Sequence, residues 1–181
     1  SPVTSFANGV RAITSTPDGN GYWVLELGGR IHAYGSATHY GSPDPFLGTY
    51  DMAVTHTGLG YWVIGQDGSV FNYGDAPAYS DVAKTAGITF MEGVGLFDAD
   101  TRVATCCVAH PTKYGLWIAN GNGEVTARGG ATNYGGMVDR VFHAGYSDSF
   151  VFTPTEWCHA IECTTDGDGY WVAGASGHIA Q

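Results

Sequence analysis

A short aromatic signal recurs four times in this 181-residue chain: Gly21-Tyr22-Trp23-Val24, Gly60-Tyr61-Trp62-Val63, Gly115-Leu116-Trp117-Ile118 and Gly169-Tyr170-Trp171-Val172. Each copy sits in the same frame. An apolar run precedes it, a polar Gly-rich turn leads into it, and a second Gly turn follows. Self-similarity of this kind means stacked units, none of which buries its apolar face alone. Features shared by all four units are therefore architecture before they are active site.

Within a unit, pairs such as Asp18-Gly19, Gly28-Gly29, Asp67-Gly68, Asn122-Gly123 and Asp166-Gly167 separate short runs rich in aromatic and β-branched residues. Such runs read as strands, and such pairs supply the positive φ of tight hairpins. No stretch carries convincing helical periodicity. A short Ala-x-x-Tyr segment (Ala37–Tyr40, Ala76–Tyr79) adds a fourth strand. The unit is then a four-stranded antiparallel meander. The expected fold is all-β, a small β-propeller of about four four-stranded blades.

The four Trp residues fall 39, 55 and 54 positions apart, against about 40–45 residues for one propeller blade. One domain, 1–181, is expected, with repeats at about 10–42, 51–80, 106–136 and 158–181. The two longer intervals carry non-repeated insertions, at about 83–104 and 138–156. The fourth unit lacks its last strand. Residues 1–9, through Pro2–Phe6, are expected to supply it and close the ring, removing an open edge. The alternatives are a fragment of a longer array, or a ring completed by a neighbouring subunit.

The net charge of −10 and pI near 4.8 argue against nucleic acid, whose phosphates need basic patches. No apolar run approaches the length of about 18 residues that a membrane helix requires, so no membrane insertion is expected. Four cysteines are present. Counted back from each Trp, period-2 alternation favours Cys106 with Cys163, or Cys107 with Cys158, if disulfides form; buried thiols are the plainer reading. No CxxC and no His pair at ligand spacing suggests a metal, and no cofactor is implied.

Three features bear on chemistry. Asp166-Gly167-Asp168-Gly169 resembles half of a calcium loop, but the remaining ligands are missing, and it reads as a hairpin turn. The histidines (His32, His39, His56, His110, His143, His159, His178) come with no nucleophile elbow and no HExxH, and His32 and His178 both fall in or beside the third strand of a unit. No catalytic residue is assigned; for a propeller hydrolase the acid/base candidates are Asp67, Asp75, Asp98 and Asp100. Among the aromatics, Trp23, Trp62, Trp117 and Trp171 read as core between blades. Phe90, Phe97, Phe150 and Trp157 stand in or beside the insertions, where a binding surface is the better reading.

The frame T-P-D-G-x-G-Y-W-V, then a turn and strand, then [AN]-Y-G-[SD]-A, resembles a repeat of many secreted actinobacterial proteins and of tail proteins of their phages. Thr16–Ser42 and Asp67–Ser80 match strongly, Tyr114–Gly136 moderately, and Thr165–Ile179 for half a unit, roughly half of the chain in all. The resemblance implies a propeller on a virion or cell-envelope surface, with no single catalytic activity. It implies a non-catalytic virion protein of tail or capsid, either a structural module or an adhesin for host-envelope carbohydrate. Its partners would be other virion or envelope proteins, and it would belong to a homo-oligomer or larger assembly. A secreted, extracellular envelope-binding or lectin-like propeller is the alternative. Two departures, Leu116 for Tyr and Arg128-Gly129 for Tyr-Gly, predict local irregularity in the third unit.

Overall fold

The computed structural model describes residues 6, 9–45, 48–65, 68–79, 104–121, 123–136, 158–175, 177 and 179–181. Within these, each unit forms one three-stranded antiparallel sheet. The first holds β1 (Val10–Ser15), β2 (Gly21–Glu26) and β3 (Ile31–Gly35); the second β4 (Thr49–Val54), β5 (Gly60–Gly65) and β6 (Val70–Gly74). The third holds β7 (Ala104–Ala109), β8 (Gly115–Asn120) and β9 (Val125–Gly129); the fourth β10 (Cys158–Cys163), β11 (Tyr170–Gly174) and β12 (Ile179–Ala180). The GYW signal is the middle strand of every sheet.

Glycine at the head of that strand has a steric cause. Gly21 faces Gly35 across the β2–β3 ladder, as Gly60 faces Gly74. Gly35 and Gly74 take φ of +64° and +65°, and a Cβ on Gly21 would meet the Tyr34 carbonyl oxygen at 2.6 Å. A side chain at either position forces the turn apart.

Each first strand carries a bulge at the same place, at Arg11, Tyr50, Thr105 and His159. First strands pack in succession, β1 on β4, β4 on β7 and β7 on β10. Three apolar clusters fill the junctions. Trp23, Leu25 and Ile31 meet Met52, Tyr61 and Val63; Trp62, Ile64 and Val70 meet Cys107, Leu116 and Ile118; Trp117, Ala119 and Val125 meet Ile161, Tyr170 and Val172. One face of each sheet thus looks back to the previous unit and the other looks forward.

The Trp–Tyr pair works across these junctions. Tyr61 meets Trp23 edge-on at 5.8 Å, and its hydroxyl donates to the Gly41 carbonyl at 2.7 Å while accepting from the Tyr40 N–H. Tyr170 repeats the arrangement: it lies 5.6 Å from Trp117, donates to the Gly135 carbonyl at 2.6 Å and accepts from the Tyr134 N–H.

Two expectations need correction. The Ala-x-x-Tyr segments join no ladder among the described residues. Their tie is instead the Trp ring N–H, which Trp23, Trp62 and Trp117 donate to the carbonyls of Thr38, Pro77 and Thr132. Trp171 is not core: it is 39% exposed, whereas Trp23, Trp62 and Trp117 are fully buried. Among the described residues no sheet lies against its face. The expected closing strand, Pro2–Phe6, lies outside the described residues apart from Phe6. Phe6 packs edge-on against His32, and the Gly9 carbonyl accepts from the Leu27 N–H. Among the described residues no packing comparable to the three junctions joins β10 to β1.

The third unit is regular in spite of Leu116: its register matches those of the first two sheets.

Candidate functional site

Phe90, Phe97, Phe150 and Trp157, the residues expected to bind a ligand, lie outside the described residues, as do Asp67, Asp98 and Asp100. Their points of attachment are described. The chain leaves the second unit after Tyr79 and returns at Ala104; it leaves the third after Gly136 and returns at Cys158. Ala104 pairs with Asn120 and Cys158 with Gly174, each three residues beyond the Trp of its sheet, the register at which Thr49 pairs with Gly65. The two insertions therefore enter at equivalent corners of adjacent sheets. The first junction crosses the same corner with a much shorter link, between Gly41 and Thr49.

The opposite corners carry the turns between first and second strands, and in three of the units an aspartate braces that turn. Asp18 accepts from the hydroxyls of Thr16 and Ser36 and from Asn20. These bonds, the Thr16 hydroxyl foremost, bring its pKa down to about 2. Asp166 is held low in the same way by the Thr164 hydroxyl and the Asp168 N–H. For Asp75, partial burial pushes upward but is outweighed by the hydroxyls of Thr57, Thr55 and Tyr114, which all donate to it. A carboxylate so saturated is a poor proton donor, which leaves Asp75 a turn brace. The Asp166–Gly169 turn closes as a hairpin, with the Thr164 N–H on the Gly169 carbonyl.

His110 stands where Thr16, Thr55 and Thr164 stand in the other units, and its N–H closes the turn on the Gly115 carbonyl. Its buried ring stacks on Trp117 at 5.3 Å and accepts the Thr112 N–H, and burial lowers its pKa. His32 pairs with the buried Glu26 at 2.5 Å. Neither role was visible from the count of histidines; the signal for His110 was its alignment with the turn threonines.

The most perturbed carboxyl is Asp51, at the junction of the second and third sheets. Burial raises its pKa to about 6, against hydrogen bonds from the Cys107 and Met52 N–H groups. It ties two sheets, and the thiol beside it, Cys107, is buried and held well above its ordinary pKa by burial and by Asp51 itself.

All four cysteines are free thiols, and their geometry departs from the expected pairings. Cys106 faces Cys158, Sγ to Sγ 3.7 Å, across the junction of the third and fourth sheets. The bulge at His159 is the reason. It inserts one residue between Cys158 and the rest of β10 and so reverses the alternation counted from Trp171. Cys163 contacts the Ala109 carbonyl, and Cys107 is buried in the cluster around Trp62. Among the described residues no group of three or more His, Cys, Asp or Glu is placed to hold a metal ion, and no helix is long and apolar enough to cross a membrane.

No protein-family model matches the chain, and no curated protein does. Among solved structures it is similar to the β-propeller domain of Cps50 (Swd1) from Myceliophteria thermophila, with a TM-score of 0.56 at 11% identity. The match covers 96% of this chain and 51% of that one, so the chain spans about half of that propeller. At such identity the likeness speaks to architecture alone, and with the sheets above it makes this an all-β, β-propeller-type fold.

Proposed function

We propose that this chain is a non-catalytic propeller module of a virion surface, tail or capsid, which binds host-envelope carbohydrate through its two insertions. One observation carries the binding part: segments 80–103 and 137–157 enter at equivalent corners of neighbouring sheets. Two non-repeated, aromatic-bearing segments thereby rejoin a repetitive scaffold at one end of it, and repeat folds commonly present binding loops from one face. The virion assignment rests on the resemblance of the repeat to phage tail proteins. The scaffold's own polar groups argue against catalysis within the repeats, since Asp18, Asp75 and Asp166 are spent on turn hydroxyls.

The test is binding of the 181-residue chain to a glycan array and to actinobacterial cells. Phe150→Ala and Trp157→Ala, and separately Phe90→Ala and Phe97→Ala, should weaken binding at least about tenfold with an unchanged thermal melt. Undiminished binding by all four variants, or release of cleaved glycan, would overturn the reading.

A further inference from the structure

The two outer faces of the sheet stack carry the residue types found on the two sides of an internal junction. On the backward-looking face of the first sheet, Val10 is 51%, Ile13 67% and Tyr22 41% exposed. Their counterparts are buried wherever a preceding sheet covers them: Thr49, Ala104 and Cys158 for Val10; Met52, Cys107 and Ile161 for Ile13; Tyr61, Leu116 and Tyr170 for Tyr22. On the forward-looking face of the fourth sheet, Trp171 is 39% and Ile179 71% exposed. Ile31, Val70 and Val125, the counterparts of Ile179, are buried. The same side-chain types that meet at the internal junctions, Trp and a β-branched residue against Tyr and an apolar first strand, thus stand open at the two ends.

We propose that a second copy of this chain covers them, head to tail, with Trp171 and Ile179 of each copy against Val10, Ile13 and Tyr22 of the other. The junction would continue the three internal ones in composition and geometry. A head-to-tail contact closes into a ring when the rotation per unit permits. Two copies bring eight units, within the range of about four to eight blades that propellers use, and one copy covers 51% of the Cps50 (Swd1) propeller-domain chain. The inference is independent of what the insertions bind.

The test is the mass of the 181-residue chain by sedimentation equilibrium at micromolar concentration, with twice 19.0 kDa expected. Ile13→Asp and Ile179→Lys alter opposite faces at exposed positions, so each chain should keep its far-ultraviolet spectrum. Each alone should weaken dimerisation at least about a hundredfold, because a charge is buried unpaired in both junctions. Mixed together they should dimerise again: one junction then carries Asp against Lys and the other is wild type. That rescue is peculiar to a head-to-tail pair. A wild-type monomer would overturn the proposal and leave the faces to further repeats of a longer chain. A dimer that mixing does not restore would overturn it in favour of a face-to-face contact.

Discussion

Tyr79 lies flat on Trp62, ring centroids 5.5 Å apart and 15° from parallel, at the one junction where leucine replaces the tyrosine of the GYW signal. At the other two junctions the hydroxyl of Tyr61 or Tyr170 holds the segment ahead of it, and the rings of Tyr40 and Tyr134 tilt against that tyrosine. Leu116 has no hydroxyl to offer. Tyr79, the counterpart of Tyr40, takes the free face of Trp62 and donates its own hydroxyl to the Tyr114 carbonyl at 2.9 Å. The junction keeps an aromatic contact and an inter-sheet hydrogen bond with both supplied from the opposite side.

The two kinds of junction should respond differently to loss of a hydroxyl. Tyr61→Phe removes the donor to Gly41 and the acceptor of the Tyr40 N–H, both partly buried. It should cost about 1–2 kcal/mol. Tyr79→Phe removes one solvent-exposed bond and should cost under about 1 kcal/mol, whereas Tyr79→Ala, which strips Trp62 of its stacked ring, should cost about 2–3 kcal/mol. Urea titration measures all three. Equal costs for the two Phe variants would contradict the exchange of roles.

Gly74 and Gly19 separate strain from collision. Both have positive φ, +65° and +69°. A Cβ on Gly19 meets nothing within 4 Å, but on Gly74 it collides with the Leu59 carbonyl oxygen and comes within 3.0 Å of the Tyr40 ring. Gly19→Ala should therefore cost only the left-handed penalty, about 1–2 kcal/mol. Gly74→Ala should cost clearly more and weaken the packing of Tyr40 at the first junction. Thermal melts of the two variants decide, and a smaller loss for Gly74→Ala would count against the register drawn here.

The pair Cys106 and Cys158 makes a further prediction. Their sulfurs are 3.7 Å apart, against about 2.05 Å in a disulfide, so a small approach of the third and fourth sheets suffices for bonding. The contact with Cys158, reinforced by burial, holds the Cys106 thiol far above its ordinary value. The same contact lowers the Cys158 thiol, which makes Cys158 the attacking sulfur, but both sulfurs are buried, so reaction with a reagent in solution should be slow. Diamide, as oxidant, should remove two of the four thiols over hours and yield a single cross-linked peptide pair, Cys106 with Cys158. A link involving Cys163 or Cys107 would contradict the bulge at His159.

That bulge marks where sequence reasoning stops. Strand identity, the hairpin turns and the burial of Trp23, Trp62 and Trp117 all follow from local pattern, because apolar alternation and Asp-Gly turns act over a few residues. The cysteine pairing failed because one inserted residue reverses every later parity count. Trp171 failed for a different reason. Its burial depends on a following unit, and a repeat motif is blind to whether its neighbour is there. Within the candidate site, the uneven Trp spacing pointed to extra chain before the third and fourth sheets, but the corners at which it rejoins them come only from the ladder registers of Ala104 and Cys158. The brace role of Asp75 was not, since its partners Thr55, Thr57 and Tyr114 come from two units.

Asp51 gives the pH dependence its sign. Its folded pKa is raised to about 6 from 3.8 because burial disfavours the carboxylate. Between those values the folded chain holds a proton that the unfolded chain has lost. The stabilisation from this group is therefore complete below pH of about 4 and is lost as pH rises through about 6, some 2–3 kcal/mol in all. Asp18 and Asp166, depressed but exposed, act weakly in the opposite sense at lower pH. Asp51→Asn isolates the effect. One amide oxygen serves only one of the two N–H donors, Cys107 and Met52, so the variant loses some stability at every pH. It should nevertheless gain on the wild type steadily from pH 4 to pH 7, by that same 2–3 kcal/mol. Urea titrations of both proteins at half-unit pH steps read the difference directly, and parallel curves would mean that Asp51 is ionised in the fold and tied to the third sheet as a carboxylate.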